Sequence, residues 1–304
     1  MIRRPLPSLS ALAFLVLLLA PPPAQAKEVK LAMGGLTLNA IATFAEGKTL
    51  KDGIVLITHG TMAHNDMQII KALRTLLQAR GLSTLAVNLS LSENDRHGIL
   101  DCAKPHRHKE SDGPAEIAAW VAWLKKEGAV PITVLGHSRG GSQTARYAAA
   151  GPDPAVKKVV LVAPATWDAA KAAAGYQARW GKPLQPLLDK AEALVKAGQG
   201  ATVMQGVDFL TCPASPVSAA TFVDYYGAEP KRDTPSVVGS IKLPVLVVVA
   251  GGDQVIPDLG GKMKGRTGGD VTLKTVPDAD HFFNDLFADD LADAVAQFIG
   301  GGKD

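Results

Sequence analysis

The chain has 304 residues, 47% of them apolar and 20% charged, which is enough apolar material for one large core or two small ones and excludes a disordered or collagen-like chain. Its formal charge of +3 includes Arg3 and Arg4, which stand in an N-terminal stretch without an acidic residue; setting those two aside leaves 30 basic residues against 29 acidic ones, a balance of +1. So nearly neutral a protein has no electrostatic basis for gripping nucleic acid or an anionic membrane surface.

Residues 1–26 join the positive pair Arg3 and Arg4 to an apolar run over 11–20, three prolines and Ala24-Gln25-Ala26. A short positive segment, about ten apolar residues and a small-x-small site describe a secretory signal cleaved after Ala26. The mature chain, 27–304, is therefore expected to be exported, periplasmic or secreted, and to keep no stable membrane span, since an anchor needs roughly 20 apolar residues. No cysteine stands at the cleavage point to carry a lipid. The arginine pair suggests a twin-arginine signal, whereas Pro5 and Pro7 interrupt the usual hydrophobic follow-on, so both export routes stay open.

Beyond the signal, strands and helices alternate. Residues 28–32 and 36–44, separated by Gly34-Gly35, read as an antiparallel hairpin. The run 53–58 is short and continuously apolar, as expected of a strand covered on both faces. Residues 65–80 place Met67, Ile70, Leu73 and Leu77 at helical spacing and stop at Gly81. A strand over 84–89 follows, then a helix over 113–127 opened by Gly113-Pro114, with Ile117, Trp120, Val121 and Leu124 on one stripe. Trp120 and Trp123 read as core rather than as a ligand platform. Further strands are expected at 132–135, 159–162, 245–250 and 271–276. Strands separated by helices imply an α/β fold, a mostly parallel sheet with helices on both faces.

One interval breaks this rhythm. Between Ala163 and Pro244 no strand is convincing, while 168–174 and 186–197 read as helices. The excursion is too long for an ordinary crossover and is read as an inserted helical cap over about 166–235, above the C-terminal edge of the sheet.

The chain's two cysteines are Cys102 and Cys212. In an exported protein an even count suggests a disulfide, and closing so long a loop contributes on the order of 4 kcal/mol in the chain-entropy model. Cys102 also opens Cys102-Ala103-Lys104-Pro105-His106-Arg107-His108, which has metal-like spacing but neither a fourth ligand nor a helix to align the imidazoles, so it is read as a polar surface loop.

The strongest chemical signal is Gly136-His137-Ser138-Arg139-Gly140, directly after the strand ending at Leu135 and before a helical stretch over 141–150. G-x-S-x-G alone is weak, but a nucleophile presented above a sheet needs this strand-to-helix turn, and Gly136 and Gly140 let strand and helix approach. Serine is a poor nucleophile at neutral pH; it needs a base, and the base needs an orienting carboxylate. Asp253 follows the strand 245–250 in Gly251-Gly252-Asp253, and His281 follows the last strand in Asp278-Ala279-Asp280-His281. The order along the chain is Ser, Asp, His.

With these motifs the chain resembles an alpha/beta-hydrolase over nearly all of the mature sequence except the cap. The resemblance implies that Ser138 attacks, that His281 takes its proton and that Asp253 orients the histidine. Asp258 stands too far past its strand for that part, and Asp278 and Asp280 share the histidine's own loop. His59-Gly60-Thr61-Met62, at the end of the strand 53–58, resembles the family's His-Gly turn. It implies an oxyanion hole from the backbone N–H groups of Thr61 and of Arg139, the residue after the nucleophile. His59 is the rival base, better suited to bracing its loop. His137 is expected to pack or hydrogen-bond nearby, and His64 and His97 to be loop residues. The Arg139 side chain could meet an acidic substrate group, although its backbone is what the chemistry needs.

The expected function is hydrolysis of a carboxylic ester or related acyl bond through a serine acyl-enzyme, with a small-molecule acyl substrate. The alternatives are a non-catalytic exported binding module on the same fold, and a peptidase or acyltransferase with the same triad. No cofactor is expected, because neither a nucleotide fingerprint nor a metal constellation is present. Oligomeric state and the identity of the acyl group are not readable.

Overall fold

The computed structural model describes residues 26–301. The expected signal, 1–26, thus lies almost wholly outside the described residues. The chain opens as a hairpin, β1 (Lys27–Met33) and β2 (Leu36–Thr43), and continues through β3 (Ile54–Thr58), α1 (Gln68–Ala79), β4 (Thr84–Asn88), α2 (Gly113–Lys126), β5 (Ile132–His137), α3 (Arg139–Ala149) and β6 (Val156–Val162). After an excursion it returns through β9 (Val245–Ala250), α8 (Leu259–Met263), β10 (Val271–Val276) and α9 (Phe287–Gly300). The excursion holds α4 (Ala169–Trp180), α5 (Gln185–Lys196), β7 (Val203–Phe209), β8 (Cys212–Ser218), α6 (Ala219–Tyr226) and the one-turn α7 (Thr234–Val237).

One eight-stranded sheet runs in the order β1-β2-β4-β3-β5-β6-β9-β10. β2 is antiparallel to β1 and β4, and every pair from β4 to β10 is parallel. All residues of β3 and β5 are buried, as continuous apolar runs require when helices cover both faces. Successive side chains go to opposite sides: Leu56 and Val134 join Ile117, Trp120 and Leu124 of α2 in one core, while Ile57 and Leu135 join Leu73 and Leu77 of α1 and Leu291 and Val295 of α9 in the other. Burying each such side chain contributes about 1.5–3 kcal/mol, and this is what fixes the sheet between its helix layers.

The excursion differs from expectation. It contains a two-stranded antiparallel sheet, β7 with β8, where no strand was expected, and α4 extends to Trp180. Two features hid the strands. Gly206 at φ 66° and register shifts between Met204, Val207 and Phe209 break the two-residue alternation in β7, and Pro213 and Pro216 interrupt β8. Proline is tolerated there because the ladder is interrupted by register shifts and does not call on every N–H of β8. Phe209, Val217, Phe222 and Tyr176 close a separate small core in this segment.

The 102–108 loop is also not the polar surface loop that its composition suggested. His106 and His108 are 2% and 1% exposed, packed against Phe209, and His108 pairs with the Tyr225 hydroxyl at 3.0 Å. The N–H of His106 donates to the Pro216 carbonyl, so the loop extends the β7–β8 edge. Cys102 and Cys212 form the expected disulfide, with 5.3 Å between their Cα atoms, and tie this loop to β8.

Candidate active site

Ser138 occupies the turn between β5 and α3 with φ 56° and ψ −124°, a conformation that costs a non-glycine residue energy and that persists only where the surroundings enforce it. Here the Ser138 N–H donates to the Val162 carbonyl of β6 at 2.9 Å, and the Ser138 carbonyl accepts from Gly141, Ser142 and Ala165. The flanking glycines are required by contact. A Cβ on Gly136 would lie 2.2 Å from the Gly140 carbonyl oxygen, and one on Gly140 would lie 2.3 Å from that of His59. Strand, helix and the neighbouring 59–62 turn thus close on each other with no room for a side chain.

The three sequence-predicted side chains meet at this turn. His281 Nε2 lies 2.9 Å from Ser138 Oγ, and His281 Nδ1 lies 2.7 Å from Asp253 Oδ2, all three buried. The second Asp253 oxygen, Oδ1, accepts the N–H groups of Val255 at 2.7 Å and Ile256 at 2.8 Å. Burial raises the Asp253 pKa, but the hydrogen bond from His281 and the N–H groups of Ile256 and Val255 outweigh it and leave the carboxyl below its usual value. An ionised Asp253 holds the His281 Nδ1 proton and so presents Nε2 as an acceptor to the serine hydroxyl. The loops carrying the two residues are joined by Gly251 N–H to the Val276 carbonyl and Gly252 N–H to the Ala279 carbonyl, both at 2.8 Å.

The rival groups are committed elsewhere. His59 Nδ1 donates to the Gly60 carbonyl at 2.9 Å, while Nε2 accepts from the Leu89 N–H at 3.0 Å and lies 3.1 Å from Arg96 Nη2. Burial and then the Arg96 charge lower its pKa to about 3, so it stays neutral with both nitrogens occupied. Asp258 accepts from Thr166 and pairs with Lys171 and Lys262, and Asp280 accepts from the Phe282 N–H and from Asn284. His137 donates from Nε2 to the His281 carbonyl at 2.9 Å, bracing the histidine loop.

Thr61 and Arg139 are linked directly: Arg139 Nε donates to Thr61 Oγ1 at 3.0 Å. Among the described residues neither of their backbone N–H groups donates to a protein acceptor. Sequence reasoning missed Arg96, which is 3% exposed and donates to the carbonyls of Leu89, Ala63 and Gly98 and to Asn88 Oδ1. It holds the 59–65 turn against the loop after β4. Nothing in the local sequence separates it from the surface charges around it.

A cavity of about 430 Å³ opens beside these residues, within the size range of small-molecule sites. Its wall includes Arg139 and the Val255 and Ile256 stretch, neighbours of Ser138 and Asp253, faced by Trp167, Tyr225 and Tyr226 from the excursion. As for metals, the described residues gather one set of close ligand atoms, on Glu28, Asp95 and His97. These are already spent in pairs, Asp95 with Lys30 and Glu28 with His97. Cys102, the first residue of the metal-like spacing, is in the disulfide.

Comparison with known proteins agrees with the fold. Residues 54–298 match the model of the alpha/beta hydrolase family, and the chain belongs to that family. Among solved structures, it is similar to Est1E of Butyrivibrio proteoclasticus with ferulic acid bound, at a TM-score of 0.65 and 19% identity over 90% of this chain and 98% of that one. It is also similar to an esterase of Pyrococcus furiosus, at 0.61 and 16% over 91% of each chain. The alpha/beta hydrolase GrgF of Penicillium sp. sh18 aligns at 0.65 and 16%, over 91% of this chain and 98% of that one. No curated protein matches the sequence.

Proposed function

We propose that the protein is a serine hydrolase that cleaves a carboxylic ester or closely related acyl bond of a small molecule. The observation that carries this reading is the hydrogen-bonded chain from Asp253 through His281 to Ser138, at 2.7 and 2.9 Å, on a serine held at φ 56°. Ser138 Oγ adds to the acyl carbon as its proton passes to His281 Nε2. The tetrahedral oxyanion is received by the N–H groups of Thr61 and Arg139, each worth about a hundredfold to a thousandfold in rate. Collapse breaks the acyl–oxygen bond, and His281 returns the proton to the departing alkoxide. Water then enters, gives its proton to His281, and attacks the acyl-enzyme; the second oxyanion expels Ser138 Oγ, which recovers the proton, and the free acid leaves.

The segment 166–235 serves as the cap that shapes the acyl site, since Trp167, Tyr225 and Tyr226 line one cavity together with Arg139. Export is part of the proposal: a structural disulfide suits an oxidising compartment, and no helix among the described residues is long and apolar enough to cross a membrane. Short p-nitrophenyl esters assayed beside aminopeptidase amides test the reaction class. Ester turnover that falls by at least roughly ten-thousandfold in Ser138→Ala is expected. Turnover unchanged by that substitution, or confined to the amides, contradicts it.

A further inference from the structure

The Arg139 side chain is arranged as a binding group in its own right. Its Nε is taken by Thr61 Oγ1 at 3.0 Å, and its guanidinium lies over the Tyr225 ring, 5.1 Å from the centroid. These two contacts fix both the position and the plane of the group. Its terminal nitrogens, Nη1 and Nη2, have no acceptor among the described residues, and no carboxylate pairs with them.

The other charged groups in the cavity wall are each engaged through at least one atom. Glu110 pairs with Arg146 through Oε2, while its Oε1 is buried without a hydrogen-bond partner and, as an acceptor, offers nothing to an anion. Lys171 pairs with Asp258, Asp168 accepts the Lys171 N–H at the start of α4, and Arg232 donates to the carbonyls of Tyr225 and Gly227. Arg232 keeps only a buried Nε without a partner, so among the described residues of this wall the terminal nitrogens that remain free are those of Arg139, held in place one residue from Ser138 and beside aromatic walls.

We infer that Arg139 selects substrate by binding a carboxylate, so that the preferred esters carry a free carboxylate in addition to the bond that is cleaved. This rests on the hydrolase reading for the identity of that bond. Two parallel N–H donors match the two oxygens of a carboxylate, and the geometry leaves the Nη1–Nη2 edge as the one available for such a pair. Because Nε is already used, the anion is met end-on, with its apolar body directed along Trp167 and Tyr226.

The test compares kcat/KM for mono-p-nitrophenyl glutarate with that for p-nitrophenyl 5-methylhexanoate, a neutral ester of the same shape. The readout is the ratio of the two within each protein, which cancels any general effect of Arg139 on the Thr61 turn. The wild-type ratio should favour the anionic ester by roughly tenfold to a hundredfold. It should fall to near one in Arg139→Gln and be partly retained in Arg139→Lys. Calorimetry on Ser138→Ala protein, which requires no chemistry, should show glutarate binding that is lost when Arg139→Gln is added. A wild-type ratio near one with both esters turned over overturns the inference and leaves the hydrolase reading intact. Binding of inorganic phosphate in preference to glutarate overturns the assignment to carboxylate. Arg139-dependent glutarate binding without ester turnover supports the anion site and defeats the hydrolase reading instead.

Discussion

His59, His108 and His137 are buried, and burial first of all lowers their pKa values to about 3, about 3 and about 4. In an unfolded chain each takes up a proton below about pH 6.5, whereas in the folded protein it remains neutral to much lower pH. Between these limits the unfolded state binds more protons, so stability falls as pH falls. Melting curves from pH 7 to 5 should therefore show a steady loss of stability, to which these three histidines contribute up to about three protons of slope. His108→Phe, which keeps a ring against Phe209 and Tyr225, should flatten that slope by about one proton; an unaltered slope would mean that His108 titrates alike in the folded and unfolded chain. Sequence could single out Ser138, Asp253 and His281, which the fold brings into one hydrogen-bonded chain, because each follows a strand and stands in a recognisable turn. It could not identify the hydrogen-bonding of His137 to the His281 carbonyl or the clamp made by Arg96, because both depend on which loops the fold brings together.

Elements whose pattern is one continuous apolar run, such as β3, β5 and β9, were readable, since burial on both faces leaves a composition with few alternatives. The β7–β8 hairpin was not readable, because its bulges and prolines erase alternation and its pairing is completed by the 102–108 loop, far away in sequence. The Cys102–Cys212 bond spans 110 positions and fastens that loop to β8. In the chain-entropy model a closure of this length contributes about 4 kcal/mol. Reduction, or the pair Cys102→Ser and Cys212→Ser, should lower stability by up to about that amount. Amide exchange should accelerate first in β8 and the 89–112 loop, through local opening, and in the central strands β3 and β5 only by as much as the global stability falls. No excess acceleration in β8 and the 89–112 loop over the central strands would mean that the bond does not hold this junction.

At the scale of the whole molecule, parallel order in the sheet gathers chemistry from distant parts of the chain. β5, β9 and β10 all end at the same edge, so Ser138 and His281, 143 positions apart, come within hydrogen-bonding distance. The same edge borders a cavity lined both by Arg139 and by Trp167, Tyr225 and Tyr226 of the excursion. Helix spacing located two helices of the excursion but not its β7–β8 sheet, and the aromatic wall was not legible, because Trp167, Tyr225 and Tyr226 carry no motif. The central claim is that Ser138 is made nucleophilic by His281. Treatment of the intact protein with a fluorophosphonate, followed by peptide mass mapping, tests it most directly. One label per chain on Ser138, with labelling at least roughly a thousandfold slower in His281→Ala, is the expected result; no label, a label on another residue, or a rate indifferent to His281→Ala would contradict it.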